Sequence, residues 1–191
     1  MKRSVLTIAL LAGLAPFAFA QTSNWVSDPA HSEVDFSVTH MAISNVHGHF
    51  GKVDAKIALN DADITKSTVT ATVDVSTVDT GQGGRDTHLK TPDFFDAATY
   101  PTATFVSTSV TKGGNGLLVN GNLTLHGVTK PVTLNVTGPK GPVQGMDQKQ
   151  HAGFSATTTI SRSAFGIGSK FPAAMVGDDV TLSIDLDVAK Q

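Results

Sequence analysis

Val180-Thr181-Leu182-Ser183-Ile184-Asp185-Leu186-Asp187-Val188 carries an apolar side chain at every second position and a polar one at each position between. Successive side chains of a strand point to opposite faces, so this stretch reads as a β-strand with one buried and one wet side. The same period of two recurs upstream. Val34, Phe36 and Val38 alternate with Glu33, Asp35, Ser37 and Thr39, and Val69, Ala71, Val73 and Val75 with Thr68, Thr70, Thr72 and Asp74. Leu117, Val119, Gly121, Leu123 and Leu125 share a face, as do Val132, Leu134 and Val136, and Phe154, Ala156 and Ile160. The abundance of valine and threonine suits a pleated surface. Asn60-Asp61, Gly113-Gly114-Asn115-Gly116, Gly138-Pro139 and Gly177-Asp178 read as turns between the runs, and Gly138 to Gln150 as a glycine-rich loop.

No helical period lasts three turns. One short helical segment is expected near residues 84–99, where Arg85-Asp86-Thr87-His88-Leu89-Lys90 can make one or two turns. About eight strands of period two leave a sandwich or an up-and-down barrel. Alternation does not separate the two, but long runs, Ser67 to Val78 and Val180 to Ala189, suit a closed barrel in which every edge is paired. The expected fold is all-β: an extended eight-stranded antiparallel up-and-down β-barrel with room for one elongated apolar ligand.

The first 20 residues read differently. Lys2 and Arg3 precede an uncharged apolar run, Val5 to Leu14, and Ala18-Phe19-Ala20 supplies small residues three and one positions before a cut. This is the layout of a cleaved signal peptide, with cleavage expected after Ala20 and residues 21–191 forming one exported domain. The run is too short for a span of about 20 residues. Without Lys2 and Arg3 the chain holds 12 basic and 16 acidic side chains, a net charge of −4. An acidic domain argues against nucleic acid as a partner, since phosphate rewards basic patches. The chain has no cysteine, which excludes disulfides and thiolate metal sites.

Chemistry finds few footholds. Ser32, Ser161 and Ser163 lack a Gly-x-Ser-x-Gly elbow, and Gly81-Gln82-Gly83-Gly84 lacks the Lys-Ser/Thr of a phosphate loop. Asp93 and Asp96 form a possible acid/base pair with no evident cleft beside them. His40, His47 and His49 lie close in sequence, but zinc wants three or four tetrahedral ligands, and a solvated strand face is the simpler reading. Arg85-Asp86-x-His88 reads either as a polar gate or as a structural cluster in which Arg85 fixes loop carbonyls or pairs with Asp86, Asp93 or Asp96. The balance favours a binding protein over an enzyme, with no cofactor.

A resemblance enters through an ordered set of motifs. The first holds Asp28-Pro29-Ala30-His31-Ser32, Phe36, His40-Met41, Gly48 and Phe50; the second holds Asp79-Thr80-Gly81, Arg85-Asp86, His88-Leu89-Lys90, Asp93-Phe94-Phe95-Asp96 and Tyr100-Pro101. Gly121-Asn122-Leu123-Thr124-Leu125-His126-Gly127-Val128-Thr129-Lys130-Pro131-Val132 follows, then Arg162 and Phe165-Gly166-Ile167. In these the chain resembles the YceI-like family of periplasmic polyisoprenoid-binding proteins, across the whole of residues 21–191. The resemblance implies a lipocalin-like barrel holding a polyisoprenoid lipid such as an isoprenoid quinone or its precursor, a homodimer, and a link to stress responses. Transient membrane contact is compatible with such a role. Ala164 stands where relatives carry an acidic residue and Val53 where many carry phenylalanine, which implies a lost salt bridge near the mouth and a reshaped lumen. The rival readings are a binder of another long amphiphile, such as a fatty acid or fatty amide, and a structural or stress-response protein whose barrel is filled by its own side chains.

Motifs and alternation together nominate the ligand neighbours Phe36, Val38, His40, Met41, Arg85, His88, Phe94, Phe95, Phe105, Phe154, Phe165 and Ile167. Any single phenylalanine among them is equally at home in ordinary core packing. His40 and His88 are of interest because an imidazole can meet a quinone or phenol head group as donor or acceptor.

Overall fold

A computed structural model describes residues 22–191; the expected leader and its cleavage point lie outside the described residues. The alternating runs form strands: β1 (Thr22–Ser27), β2 (Glu33–His40), β3 (Ser44–Phe50), β4 (Val53–Asn60), β5 (Thr68–Asp74), β6 (Val78–Asp79), β7 (Thr102–Gly113), β8 (Gly116–Leu125), β9 (Val128–Gln144), β10 (Gln150–Ser161) and β11 (Val176–Lys190). All belong to one antiparallel sheet, closed by the pairing of β1 with β11. Three staves of the barrel are each two segments in line: β1 runs on as β2, β3 as β4 and β5 as β6. The result is a closed eight-staved up-and-down barrel in which each stave pairs with its neighbour in the chain. β11 serves both parts of the first stave, with Val188 opposite Ser27 and Leu182 opposite Phe36.

The breaks have local causes. Between β1 and β2 the Asp28 carboxylate accepts from the Ala30 amide at 2.9 Å and meets His31 Nδ1 at 2.9 Å, holding a turn that starts with Asp28-Pro29. The ladder to β11 is bridged there by Asp28 N–H donating to Asp187 O (2.7 Å) and Ser32 Oγ donating to the same carbonyl (3.1 Å). Between β5 and β6 the Asp74 carboxylate accepts from Ser76 N–H at 3.0 Å and caps a 3-10 turn, Val75–Thr77. The run expected to be unbroken from Ser67 to Val78 is therefore interrupted by an aspartate whose side chain competes with the ladder.

Two expected turns lie inside strands. Gly138-Pro139 and the stretch expected as a loop from Gly138 belong to β9, which pairs with β10 as far as Gln144↔Gln150; the connection itself is only Gly145 to Lys149. Register shifts in that ladder absorb the irregular backbone at Gly138 (φ 131°) and Gly141 (φ 103°), conformations open to glycine. Gly177-Asp178 likewise sits within β11, at a bulge between Val176 and Val180. The short helix, α1, spans Gly83–Leu89, capped by the Gln82 side chain accepting from Arg85 N–H at 2.6 Å. Hydrogen-bonded turns carry the chain on from Lys90 to Tyr100. Buried apolar side chains form four clusters around the wall, centred on Phe36 and Val53, on Trp25 and Val188, on Phe105 and Val119, and on Phe165 and Ile160.

Candidate ligand-binding lumen

The four clusters surround a cavity of about 260 Å³, just below the usual range of ligand pockets, which run from about 300 Å³ upward. Its wall is the inward face of the alternation: Val69, Ala71 and Val73 of β5, Val119 and Leu123 of β8, Leu134 and Val136 of β9, Phe154, Ala156 and Ile160 of β10, and Val180, Leu182, Ile184 and Leu186 of β11. Val188, the next inward residue of β11, is fully buried and packs with Trp25, Ile57 and Ala152 at the end where the described chain begins and ends. Two glycines admit aromatic rings to the wall. A Cβ on Gly121 would come within 2.3 Å of Phe105 Cζ, and one on Gly48, directly opposite Phe36, within 2.5 Å of that ring. From Phe36 the aromatic surface continues through Phe50 to Phe95, with ring centroids 5.6 Å apart at each step.

At the other end the chain between β10 and β11 folds over the lumen, organised by Arg162. This side chain is buried, yet each of its nitrogens finds acceptors in the main chain. Nε donates to Gly177 O (3.0 Å), Nη1 to Ile167 O (2.9 Å) and Gly168 O (2.7 Å), and Nη2 to Phe171 O and Val176 O (2.7 Å each). Five bonds use all five guanidinium donors, which leaves none for a ligand. Beside this plug Phe94 stacks on Phe171 at 4.9 Å, and His88 meets both rings edge-on. Asp93 pairs with Lys170 and accepts from His88 Nε2 at 3.2 Å, and the Lys170 contact above all holds its carboxyl below the usual range.

The nominated residues therefore divide. Phe36, Val38, Phe94, Phe95, Phe105, Phe154 and Ile167 stand in the lumen wall. The other five do not. His40 and Met41 lie at the exposed rim, where β2 turns into β3 and Met41 adopts φ 53°. Arg85 is on the outside of α1 and donates to Thr80 Oγ1 (2.7 Å) and Thr80 O (2.9 Å) rather than to a carboxylate. His88 faces Asp93 and the two aromatic rings. Phe165 is 2 % exposed and packs behind the wall against Leu125, Ile160 and Ile167. Arg162, which the nomination lacked, lies two residues beyond Ile160, on the inward parity of β10; the alternation continued by one step finds it. Val53 lines the lumen. Ala164 is exposed in the 3-10 turn Ser163–Phe165.

On the outer face His151 is held between two carboxylates, Nδ1 to Asp187 at 2.7 Å and Nε2 to Asp147 at 3.1 Å, and the Asp187 contact in particular raises its pKa. Ser32 gives its hydroxyl to the main chain and Ser161 gives its own to Asp178. Among the described residues no three histidine, aspartate or glutamate side chains gather as metal ligands.

Comparison with known proteins places this barrel. Residues 25–188 match the YceI-like domain family. A UPF0312 protein of Vibrio cholerae is 39 % identical over 174 residues, covering 87 % of this chain and 89 % of that one. One from Shewanella baltica is 38 % identical over 171 residues, covering 87 % and 88 %. Among solved structures, BcnA of Burkholderia cenocepacia superimposes with a TM-score of 0.72 at 30 % identity, covering 84 % of this chain and 98 % of that one. A polyisoprenoid binding domain from Saccharophagus degradans, implicated in plant cell wall breakdown, shares the fold with a TM-score of 0.63 at 16 % identity, covering 87 % and 98 %.

Proposed function

The chain belongs to the YceI-like family, and from that premise we propose that it binds a single polyisoprenoid chain in its lumen and carries or stores it in the periplasm. The observation that carries this reading is the chemistry of the wall: apolar, with Arg162, the one charged group among its described residues, already saturated by main-chain carbonyls. Such a lumen rewards hydrocarbon, since each methylene withdrawn from water contributes about 0.8 kcal/mol. It offers the head group very little polar surface, so selection is by the width and length of the tail. The structural neighbour that is a polyisoprenoid binding domain supports the same ligand class. A binding role is the reading that an apolar wall of this kind supports, since it suits the sequestration of hydrocarbon.

Organic extraction and native mass spectrometry of the purified protein test the ligand. A co-purifying polyprenyl lipid is expected; a fatty acid or fatty amide, or a barrel that takes up no added polyprenol, overturns the reading. In this proposal the protein is exported and trimmed after Ala20, so N-terminal sequencing of the exported form should begin at Gln21. An intact N-terminus fractionating with membranes would refute export of the free domain. Sedimentation tests the homodimer that accompanies this reading.

A further inference from the structure

The barrel wall has a seam. β9 pairs with β8 from Val136↔Leu117 to the turn at Val128↔Leu125, and β10 pairs with β11 as far as Ser161↔Asp179. Between β9 and β10, however, the ladder stops at Asn135↔Thr157. Beyond that point Val128 to Leu134 and Thr158 to Ser161 stay in the wall without main-chain pairing to each other. The far limit of the seam is a single contact, His126 Nδ1 to Phe165 O at 3.1 Å.

Pro131 explains why the seam does not zip. The β8–β9 hairpin turns through His126 (φ 51°) and Gly127 (φ 74°), a two-residue connection whose flanking pair, Leu125↔Val128, is hydrogen-bonded. Hydrogen-bonded pairs then alternate along the ladder, so Thr129, Pro131 and Thr133 turn their main-chain groups away from β8 and toward β10. At the centre of that edge stands a residue with no N–H to give. What closes the seam is side chains: Val132 and Leu134 from β9, Thr158 and Ile160 from β10, all of which line the lumen.

We infer that this seam is the door of the lumen: a long hydrocarbon tail enters and leaves sideways between β9 and β10, its head group staying outside in water. Parting the seam breaks no strand ladder. Leaving by the Arg162 end requires displacing five hydrogen bonds and the Phe94–Phe171 stack. The described wall presents very little polar surface to a head group, which suits a tail that slides in laterally and does not thread head first. The inference rests on the proposal that the lumen holds a lipid chain, and it narrows the ligand to one whose bulky polar end is never buried.

The chain's lack of cysteine makes a lock straightforward. Thr133 and Thr159 lie two residues beyond the last paired residues, both exposed on the outer face. The double variant Thr133→Cys with Thr159→Cys, oxidised, should slow both uptake and release of cis-parinaric acid, a fluorescent fatty acid that reports an apolar site, by roughly tenfold or more, and reduction should restore the rates. Unchanged rates in the oxidised form, or faster exchange in Lys170→Ala, which loosens the opposite closure, would move the door to the barrel end. Hydrogen exchange in the unmodified protein tests the seam without any ligand. The amides of Thr133 and Thr159 should exchange far faster than those of Asn135 and Thr157, whereas equal protection would mean a closed ladder and overturn the inference. Polyprenol binding to the reduced variant is a separate readout, so a wrong ligand and a wrong door give different results.

Discussion

The two sides of the barrel wall are built differently. From β1 to β6 each stave is broken once, and the gaps are stitched by side chains: Asp28 and Ser32 at the first, Asp74 at the third. From β7 to β11 the strands run unbroken for 10 to 17 residues. The closing elements follow the same division. On the broken side short polar side chains each satisfy one or two nearby amides. On the continuous side one buried arginine gathers five carbonyls, and a stretch of ladder is left open.

Removing that anchor should have the largest effect. Arg162→Met leaves five carbonyls without their charged donor, and a loss of about 3 kcal/mol or more in denaturant unfolding is expected. Arg162→Lys should recover little, because an ammonium has three donors and no planar fork. A variant within about 0.5 kcal/mol of the parent would show that the end does not depend on it.

The next test concerns facing within one strand of the broken side. Phe36 lines the lumen and Ser37 does not. Phe36→Asp should weaken binding of a polyprenol at least tenfold, about 1.4 kcal/mol, because a carboxyl in an apolar lumen either stays protonated or draws in water. Ser37→Asp should bind almost normally, with folding of both checked by circular dichroism. Equal affinities would mean that this side of the wall does not contact the ligand.

A smaller effect is expected at the third break. Asp74→Ala removes the cap of the Val75–Thr77 turn and should cost about 1 kcal/mol of stability, as capping losses do. A cost as large as that of Arg162→Met would erase the contrast between the two sides.

The smallest effect is pH-dependent. Contact with Asp187 and Asp147 raises the pKa of His151, so its contribution is complete below the unfolded histidine value of about 6.5 and is lost as pH rises through the higher folded value. The carboxyl of Asp147 is held low, chiefly by the Lys149 amide and then by His151, so its share is lost only as pH falls through the carboxylate range. Melting temperature should decline slightly above pH 6.5 in the parent and less in His151→Gln, where His31, whose pKa is raised by its contact with Asp28, keeps a share of the slope. Parallel profiles would show that the clasp is not sensed by the fold.

Much of the wall is legible from parity alone. Phe36, Val38 and Phe154 face inward because alternation obliges them to, and the lining of β5, β8 and β11 follows from the same rule. Parity does not say where a strand leaves the barrel. His40 shares the parity of Phe36 and Val38 but stands past the rim, and Met41 is swung outward by a left-handed turn. Arg85, His88 and Phe165 lie on a short helix and a 3-10 turn, where a period of two has no meaning. Arg162 was within reach of the rule, but a charged residue at an inward position reads as the end of a strand until its five acceptors are seen together.

Alternation over short windows determined the strands, their facing and the apolar character of the lumen, because side-chain direction is set by the backbone of each residue and its immediate neighbours. Closure was decided only in three dimensions. The pairing of Trp25 with Lys190, the bridging of a broken stave by Asp187 and the five carbonyls around Arg162 depend on segments far apart in the chain finding one another. So does the seam beside Pro131: a missing N–H is written in the sequence, but which neighbour it fails depends on the register that β8 imposes on β9.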